Sequence, residues 1–392
     1  MNVTYRIDKN ILYIAIEGRI DASNAAEAEK KIFDIKNGNP NKHTVVDADY
    51  LEYISSAGLR VILKLRKEDS KLAIINVAPD VYEVFDMTGF TDMVTVEKAY
   101  QRMSVEGCEF IAKGANGAVY RYNDETIVKT YFAKDALPEI KQERENARKA
   151  FVLGINTAIP YGIVRVGEGY GTVTELLNAV SVTKLIRQNP DDLTEAVKHY
   201  VDMLKNIHAI RVEDGEVPDM KETALDWADF VAPHIPQEQG MKLRALIEAV
   251  PKQNTLLHGD YHTNNIMVQN GEPLLIDMDT LCMGHPIFEI ASMFNALRGY
   301  SELDHQNMIN FFGYTYETAG RFWNAVLKKY FETEDEAFCQ SVAEKAMVVG
   351  YTRMLRRAIR RPNDADSPAK IARCKEMLAI LLEKIDSLSF EV

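Results

Sequence analysis

The chain has few cysteines: Cys108, Cys282, Cys339 and Cys374 lie far apart among 392 residues, and no two form a CxxC pair. That excludes a disulfide framework and a thiolate zinc site as organising features, and reduced, buried thiols are expected. Long apolar runs are missing too. Stretches such as Ile11–Ile16 and Val61–Leu63 fall far short of the ~20 residues a spanning helix needs. The start, Met1-Asn2-Val3-Thr4, has neither the basic nor the apolar region of a signal peptide, so a cytoplasmic protein is expected. Positive charge is in deficit: 46 Lys and Arg against 58 Asp and Glu leave a net charge of −12. Nucleic-acid and anionic-membrane surfaces need basic patches, so neither partner is expected. An acidic surface is compatible with a cationic small molecule, although solubility alone accounts for it.

What is present is ordinary globular material, 46% hydrophobic and 27% charged, in a chain long enough for two or three compact units. Residues 1 to about 105 alternate short strands and helices, the pattern of an α/β layer. Val3–Ile7 and Ile11–Ile16 read as strands around the turn Asp8-Lys9-Asn10. Asp21 or Ser23 is placed to cap a helix running to about Lys36. Thr44–Val46 reads as a buried strand, Ser55-Ser56 opens a helix, Leu72–Val77 is a further strand, and Pro79 starts a helix ending at Gly89. From Cys108 the pattern changes. Phe110–Tyr122 and Thr126–Tyr131 read as strands, and a charged helix spans about Leu137–Leu153. Further strands fall near Ile163–Val166 and Gly171–Thr174. Beyond Val180 the chain is mainly helical, with a strand-rich island at Thr255–Asp277.

Three features of this second region carry chemistry. Gly114-Ala115-Asn116-Gly117-Ala118-Val119 forms a glycine-containing turn between strands, where backbone N–H groups can approach phosphate oxygens. No Gly-Lys-Ser/Thr follows, so it is not a Walker loop. Lys129, on the next strand, can reach nucleotide phosphates if a carboxylate holds it; Glu139, Glu143 and Glu145 are offered by the following helix, and Glu145 is the expected partner. The third is His258-Gly259-Asp260-Tyr261-His262-Thr263-Asn264-Asn265, a polar run between apolar segments, followed by a buried strand that delivers Asp277. Phosphoryl transfer needs this set: Asp260 to take the proton of an acceptor hydroxyl, and Asn265 with Asp277 to hold Mg²⁺ through hard oxygen atoms. The helical run at Ile287–Leu297 begins within ten residues of Asp277. A peptide-docking platform does not fit there, which favours a small acceptor.

The order His-Gly-Asp-x-His-x-x-Asn, Ile-Asp and Gly284-His285-Pro286 resembles the aminoglycoside phosphotransferase and choline kinase superfamily. The resemblance implies an α+β bilobal protein-kinase-like domain over residues 108–392, with a small lobe at 108–178 and a large lobe at 179–392. It implies ATP as phosphoryl donor, with Gly114, Asn116, Gly117, Lys129 and Glu145 on the phosphate side. It also implies an adenine-reading hinge at Glu175, Leu176 and Leu177, and an acceptor pocket in the helical lobe, where Asp226, Trp227, Asp229, Trp323 and Tyr330 are candidates. Thr263-Asn264 stands where the family often has Pro-Gly, and Glu289 where it often has aspartate. Residues 1–105 resemble the STAS domain of anti-sigma-factor antagonists in Gly18-Arg19-Ile20-Asp21, Val46–Leu59 and Val81–Thr91. That resemblance implies an α/β docking or regulatory domain with a protein partner, and Ser56 as a phosphorylation position. Three readings result: a small-molecule phosphotransferase with a regulatory domain, a signalling protein whose kinase domain phosphorylates Ser56 in its own chain or a partner, or a non-catalytic interaction protein, against which the joint presence of Lys129, Asp260, Asn265 and Asp277 speaks.

Overall fold

The computed structural model describes residues 1–114, 116–133 and 136–390. By its internal contacts the chain divides into two compact units, Met1–Ser104 with Val164–Gly167, and Val105–Ile163 with Glu168–Val392.

In the first unit, strict alternation in β2 (Ile11–Ile20) buries Leu12, Ile14 and Ile16 on one face. This strand pairs antiparallel with β1 (Asn2–Asp8) and parallel with β3 (His43–Ile54). β4 (Ala73–Val77) and β5 (Thr95–Lys98) extend the sheet in the order β1-β2-β3-β4-β5, all parallel beyond the first pair. Helices α1 (Ala25–Asn37), α2 (Ser56–Glu68) and α3 (Pro79–Met87) supply Ile32, Ile62, Leu65 and Phe85 to the same core. A short strand, β6 (Gln101–Met103), comes next in the chain. α1 begins later than its expected caps. Asp21 spends its carboxylate on the Ser23 backbone and hydroxyl, and the N-cap position falls to Asn24, which makes no side-chain cap bond.

The second unit opens with a sheet ordered β10-β11-β9-β8-β7, from β7 (Glu109–Lys113), β8 (Gly117–Arg121), β9 (Thr126–Tyr131), β10 (Pro160–Val166) and β11 (Gly169–Glu175). The run read as one strand over Phe110–Tyr122 is two strands, parted at the glycine turn. Helix α4 (Leu137–Val152) lies between β9 and β10 in the chain. The rest is helical: α5 (Val182–Gln188), α6 (Thr194–Ala209), α7 (Met220–Val231), α8 (Gln237–Glu248), α9 (Ile287–Leu297), α10 (Gln306–Phe312), α11 (Tyr316–Phe331), α12 (Glu336–Arg360) and α13 (Ser367–Lys384). Short strands β12 (Val180–Ser181), β14 (Ile266–Gln269) and β15 (Glu272–Leu275) form one sheet; β13 (Leu256–Leu257) and β16 (Cys282–Met283) form another. α9 is apolar nearly all round and buried against α11 and α12, which makes it a fixed support for the loop 258–265. The cysteines are free thiols, three of them buried. Among the described residues no helix is long and apolar enough to cross a membrane.

Candidate active site

The buried strands β13 and β14 fix both ends of the loop 258–265, and its polar groups are satisfied largely by surrounding side chains and by one another. Glu289, at 0% exposure on α9, accepts the His258 N–H at 2.5 Å and the Gly259 N–H at 3.0 Å. Gly259 has φ +81°, and a Cβ there would stand 2.4 Å from the Thr280 carbonyl oxygen, so no side chain fits. Its carbonyl accepts from Ser292 Oγ and Arg353 Nη1, both at 3.1 Å. His258 Nε2 faces the Ile276 carbonyl at 3.1 Å and therefore carries the proton. Its Nδ1 is left to accept the Asp260 N–H at 3.2 Å. The Asp260 carbonyl takes Asn265 Nδ2 at 3.1 Å. Asp260 is thus held through its backbone, while its half-exposed carboxylate receives no hydrogen bond among the described residues. His262 Nε2 lies 3.6 Å from it. Burial pushes the His262 imidazole below its usual pKa, against the pull of the Asp260 charge, and Nδ1 has no partner.

Across from this loop, Lys129 on β9 pairs with Glu143 at 2.5 Å, and Tyr131 donates to the other oxygen of Glu143 at 2.5 Å. The expected partner Glu145 is corrected. It lies two residues on, facing outward, where it pairs with Arg148 at 3.1 Å, because residues two apart on a helix point to different sides. Asn146, one turn after Glu143 and on its side of α4, donates to the carbonyls of Met278 and Asp279 at 3.2 and 3.3 Å. That docks α4 onto the 277–279 segment. Burial works against the Lys129 charge, but Glu143, Asp279 and Asp277 outweigh it and hold the ammonium above its usual pKa.

The Ile276 N–H donates to the Asn265 carbonyl at 2.9 Å, setting the ends of β14 and β15 side by side with Asn265 and Asp277 adjoining. Asp277 adopts φ +65°, a left-handed conformation that asparagine and aspartate tolerate best. Carboxylate oxygens of Glu143, Asp277 and Asp279 lie within 4.8 Å of one another. Burial first, then the charges of Glu143 and Asp277, pushes Asp279 up to about 7, with Lys129 acting in the opposite sense. Three crowded carboxylates beside one lysine are short of positive charge. They form an all-oxygen donor set that fits a hard divalent cation, with Asn265 adjoining Asp277 at the strand ends. Glu143 and Asp279 were not expected here; the Asp-Met-Asp spacing was the signal for the second.

In the glycine turn, the Gly114 N–H donates to the Gly117 carbonyl at 2.9 Å and the Asn116 carbonyl accepts from the Phe132 N–H at 3.0 Å, while Ala115 lies outside the described residues. A Cβ on Gly117 would stand 2.1 Å from the Thr130 carbonyl oxygen, so this glycine is demanded by strand pairing as much as by any ligand. In the expected hinge, the Glu175 N–H donates to Ile159 and the Leu176 N–H to Glu125. The Leu177 N–H makes no bond among the described residues. The acceptor-side candidates scatter. Trp323 and Tyr330 are buried in the core, Tyr330 hydrogen-bonding His208 at 2.7 Å, and Asp229 pairs with Arg244. Trp227 instead lies under Arg353, which reaches the Gly259 carbonyl.

A sheet bearing a carboxylate-held lysine, joined to a helical lobe that presents a stapled polar loop and an acidic trio, defines a bilobal kinase-like phosphotransferase. Residues 107–323 match the phosphotransferase enzyme family (APH), and the chain belongs to that family. Residues 2–103 match the STAS domain. The first unit is also 32% identical over 101 residues to a Bordetella bronchiseptica protein named "Putative anti-sigma factor antagonist BtrV", covering 24% of this chain and 85% of that one. The fold is shared with a thermostable mutant of aminoglycoside phosphotransferase APH(4)-Ia in ternary complex with ADP and hygromycin B, at TM-score 0.50 and 11% identity over 77% of this chain and 97% of that one. A choline/ethanolamine kinase family protein from Mesorhizobium loti is similar at TM-score 0.46 and 11% identity, over 70% of this chain and 91% of that one.

Proposed function

We propose that residues 108–392 transfer the γ-phosphoryl group of ATP to a hydroxyl of a small molecule, and that residues 1–105 serve as a regulatory or docking domain for a protein partner. The observation that carries this reading is the convergence of Lys129–Glu143 with Asp277 and Asp279, opposite a loop that fixes Asp260 by its backbone and leaves its carboxylate unengaged. Asp260 takes the acceptor's hydroxyl proton as the new O–P bond forms and the bond to the β-phosphate oxygen breaks, releasing ADP. Lys129 steadies the phosphates, the turn at Gly114, Asn116 and Gly117 covers them, and Glu175 and Leu177 read the base. Asn265 and Asp277, joined by Asp279 and Glu143, would hold Mg²⁺, which when bound offsets phosphate charge.

The segment after Asp277 supports a small acceptor. It is tied down within a few residues by the β16–β13 pair and enters α9 at Ile287, leaving no extended platform for a peptide. Ser56 favours the second reading in one respect: it is exposed as the first residue of α2, whose first turn holds no acid, and Ser55 supplies the cap to Gly58 N–H at 3.4 Å. A phosphate there would meet unpaired N–H groups and the positive end of the helix.

Incubation with Mg²⁺ and γ-labelled ATP, with and without hydroxyl compounds, followed by mapping of the label, tests both. Transfer to an added compound is expected, and Asp260→Asn should slow it by about 10²–10⁴-fold without unfolding the chain. An unchanged rate in that variant removes Asp260 from the chemistry. Label on Ser56, absent in Asp260→Asn, would instead put the acceptor inside the protein.

A further inference from the structure

In a chain of net charge −12, the stretch from Lys345 to Arg361 holds Lys345, Arg353, Arg356, Arg357, Arg360 and Arg361 and not one aspartate or glutamate. Some arginines of this unit are held by carboxylates, Arg373 by Glu302 and Glu376 and Arg244 by Asp229 and Glu248, and others by backbone carbonyls, Arg211 by that of His208 and Arg321 by that of Pro190. Among the described residues, Arg353, Arg356 and Arg357 have no carboxylate within 4.0 Å. Their guanidinium carbons lie over aromatic rings instead: Arg353 at 5.5 Å from the Trp227 ring centre, Arg356 at 5.7 Å from Phe230 and Arg357 at 5.4 Å from Tyr300. Trp227 and Phe230 are three residues apart on α7, and Arg353 and Arg356 three apart on α12. The two contacts therefore form a rung-like series along the packed pair of helices.

One end of that series is the catalytic loop. Arg353 Nη1 meets the carbonyl of Gly259, the residue before Asp260, at 3.1 Å and Ser292 Oγ at 3.4 Å. A guanidinium has five N–H donors, and this one leaves Nε and Nη2 without a protein partner among the described residues. Arg356 lies about 4.5 Å further along the helix axis. Burial, then Arg360, disfavours its charge, and Asp226 offsets this only in part. Arg353 and Arg356, lying over rings, half-buried and without a carboxylate within 4.0 Å among the described residues, are arranged for a ligand's anionic oxygens.

The geometry points to an acceptor that carries a carboxylate or phosphate besides its hydroxyl, with Arg353 and Arg356 binding the anionic group beside Asp260. This rests on the phosphotransfer reading above and turns the expectation from bulk charge around: the surface is acidic, but the wall next to the proposed base is basic.

The test is ADP release by the full chain with Mg²⁺-ATP and a charge-graded set of acceptors: glycerate and glycerol phosphate, glycerol, and serinol with an aminoglycoside. Turnover is expected with the anionic compounds, and carboxylate against phosphate is decided between those two. Arg356→Gln, which leaves the Gly259 contact intact, should raise KM about tenfold or more with a much smaller change in kcat. Arg353→Lys should retain more affinity than Arg353→Gln. A neutral or cationic compound as the best acceptor, or a KM indifferent to Arg356→Gln, overturns the assignment while leaving phosphotransfer standing. If no compound is phosphorylated, calorimetric binding of glycerate to the ADP-bound chain decides. Binding weakened about tenfold in Arg356→Gln sustains the anionic wall although the phosphotransfer reading fails. Binding that is absent, or equal in both proteins, overturns it.

Discussion

The two units bury polar groups to different ends. In the first, Lys36, Thr44 and Asp69 are the buried polar residues, and they stitch secondary structure together. Asp69, just past α2, accepts the Thr44 N–H at 2.6 Å and the Lys71 N–H at 3.0 Å, with the Lys36 ammonium 3.6 Å away. In the second, Glu289, His258, Ser292 and Thr263 are buried around a single loop, and their bonds hold one carboxylate in place. Polar burial in the first unit ties elements together; around this loop it positions a single side chain.

The difference can be broken by experiment. Glu289→Gln removes a charge-assisted acceptor from two N–H groups and should lower the stability of the second unit by about 3 kcal/mol. Both tryptophans, Trp227 and Trp323, belong to that unit, so urea unfolding followed by their fluorescence reads it directly. An unchanged midpoint would mean the loop holds itself. Glu143→Gln should slow phosphotransfer by about 10²-fold, or ~2.7 kcal/mol, whereas Glu145→Gln should stay near the unaltered rate; equal effects would undo the assignment of the lysine's partner. In the first unit, a Cβ on Gly58 would stand 2.7 Å from Ile54 and 2.8 Å from Ile20. Gly58→Ala is expected to cost about 1–3 kcal/mol, read by faster hydrogen exchange in α2.

The effect of pH is the most diagnostic. Burial raises the Asp69 carboxyl pKa, but bonds from the Lys71 and Thr44 N–H groups and the Lys36 charge outweigh it, so its pKa lies below the usual range. The stability this supplies is present above the ordinary carboxyl pKa and is lost as pH falls through the lowered one. Asp69→Asn should therefore cost about 2 kcal/mol at pH 7, with the gap narrowing below about pH 4. Unfolding at pH 7 and pH 3 checks this, and a gap independent of pH would remove the carboxylate's charge from the account.

Much of this was legible before any coordinates. The run 258–265 stands out because polar residues interrupt buried strands, and the helical run expected at Ile287–Leu297 is a helix with those bounds. The choice between Glu143 and Glu145 was not legible, since both are carboxylates on one charged helix and only the docking of Asn146 fixes which side faces Lys129. Arg353 was hidden by distance: 94 residues separate it from the carbonyl it meets. Trp323 and Tyr330 misled for a simpler reason. Both lie on the buried stripe of α11, and large aromatics serve packing as readily as recognition.

The left-handed turn at Asp277 acts as a filter on substitution. Asparagine suits the backbone and forfeits the charge; glutamate keeps the charge and is penalised by the backbone; glycine relieves the backbone and supplies nothing. Chemistry and conformation select the same residue on separate grounds. Their contributions can be measured apart, one as lost cation affinity in Asp277→Asn, the other as lost stability in Asp277→Glu.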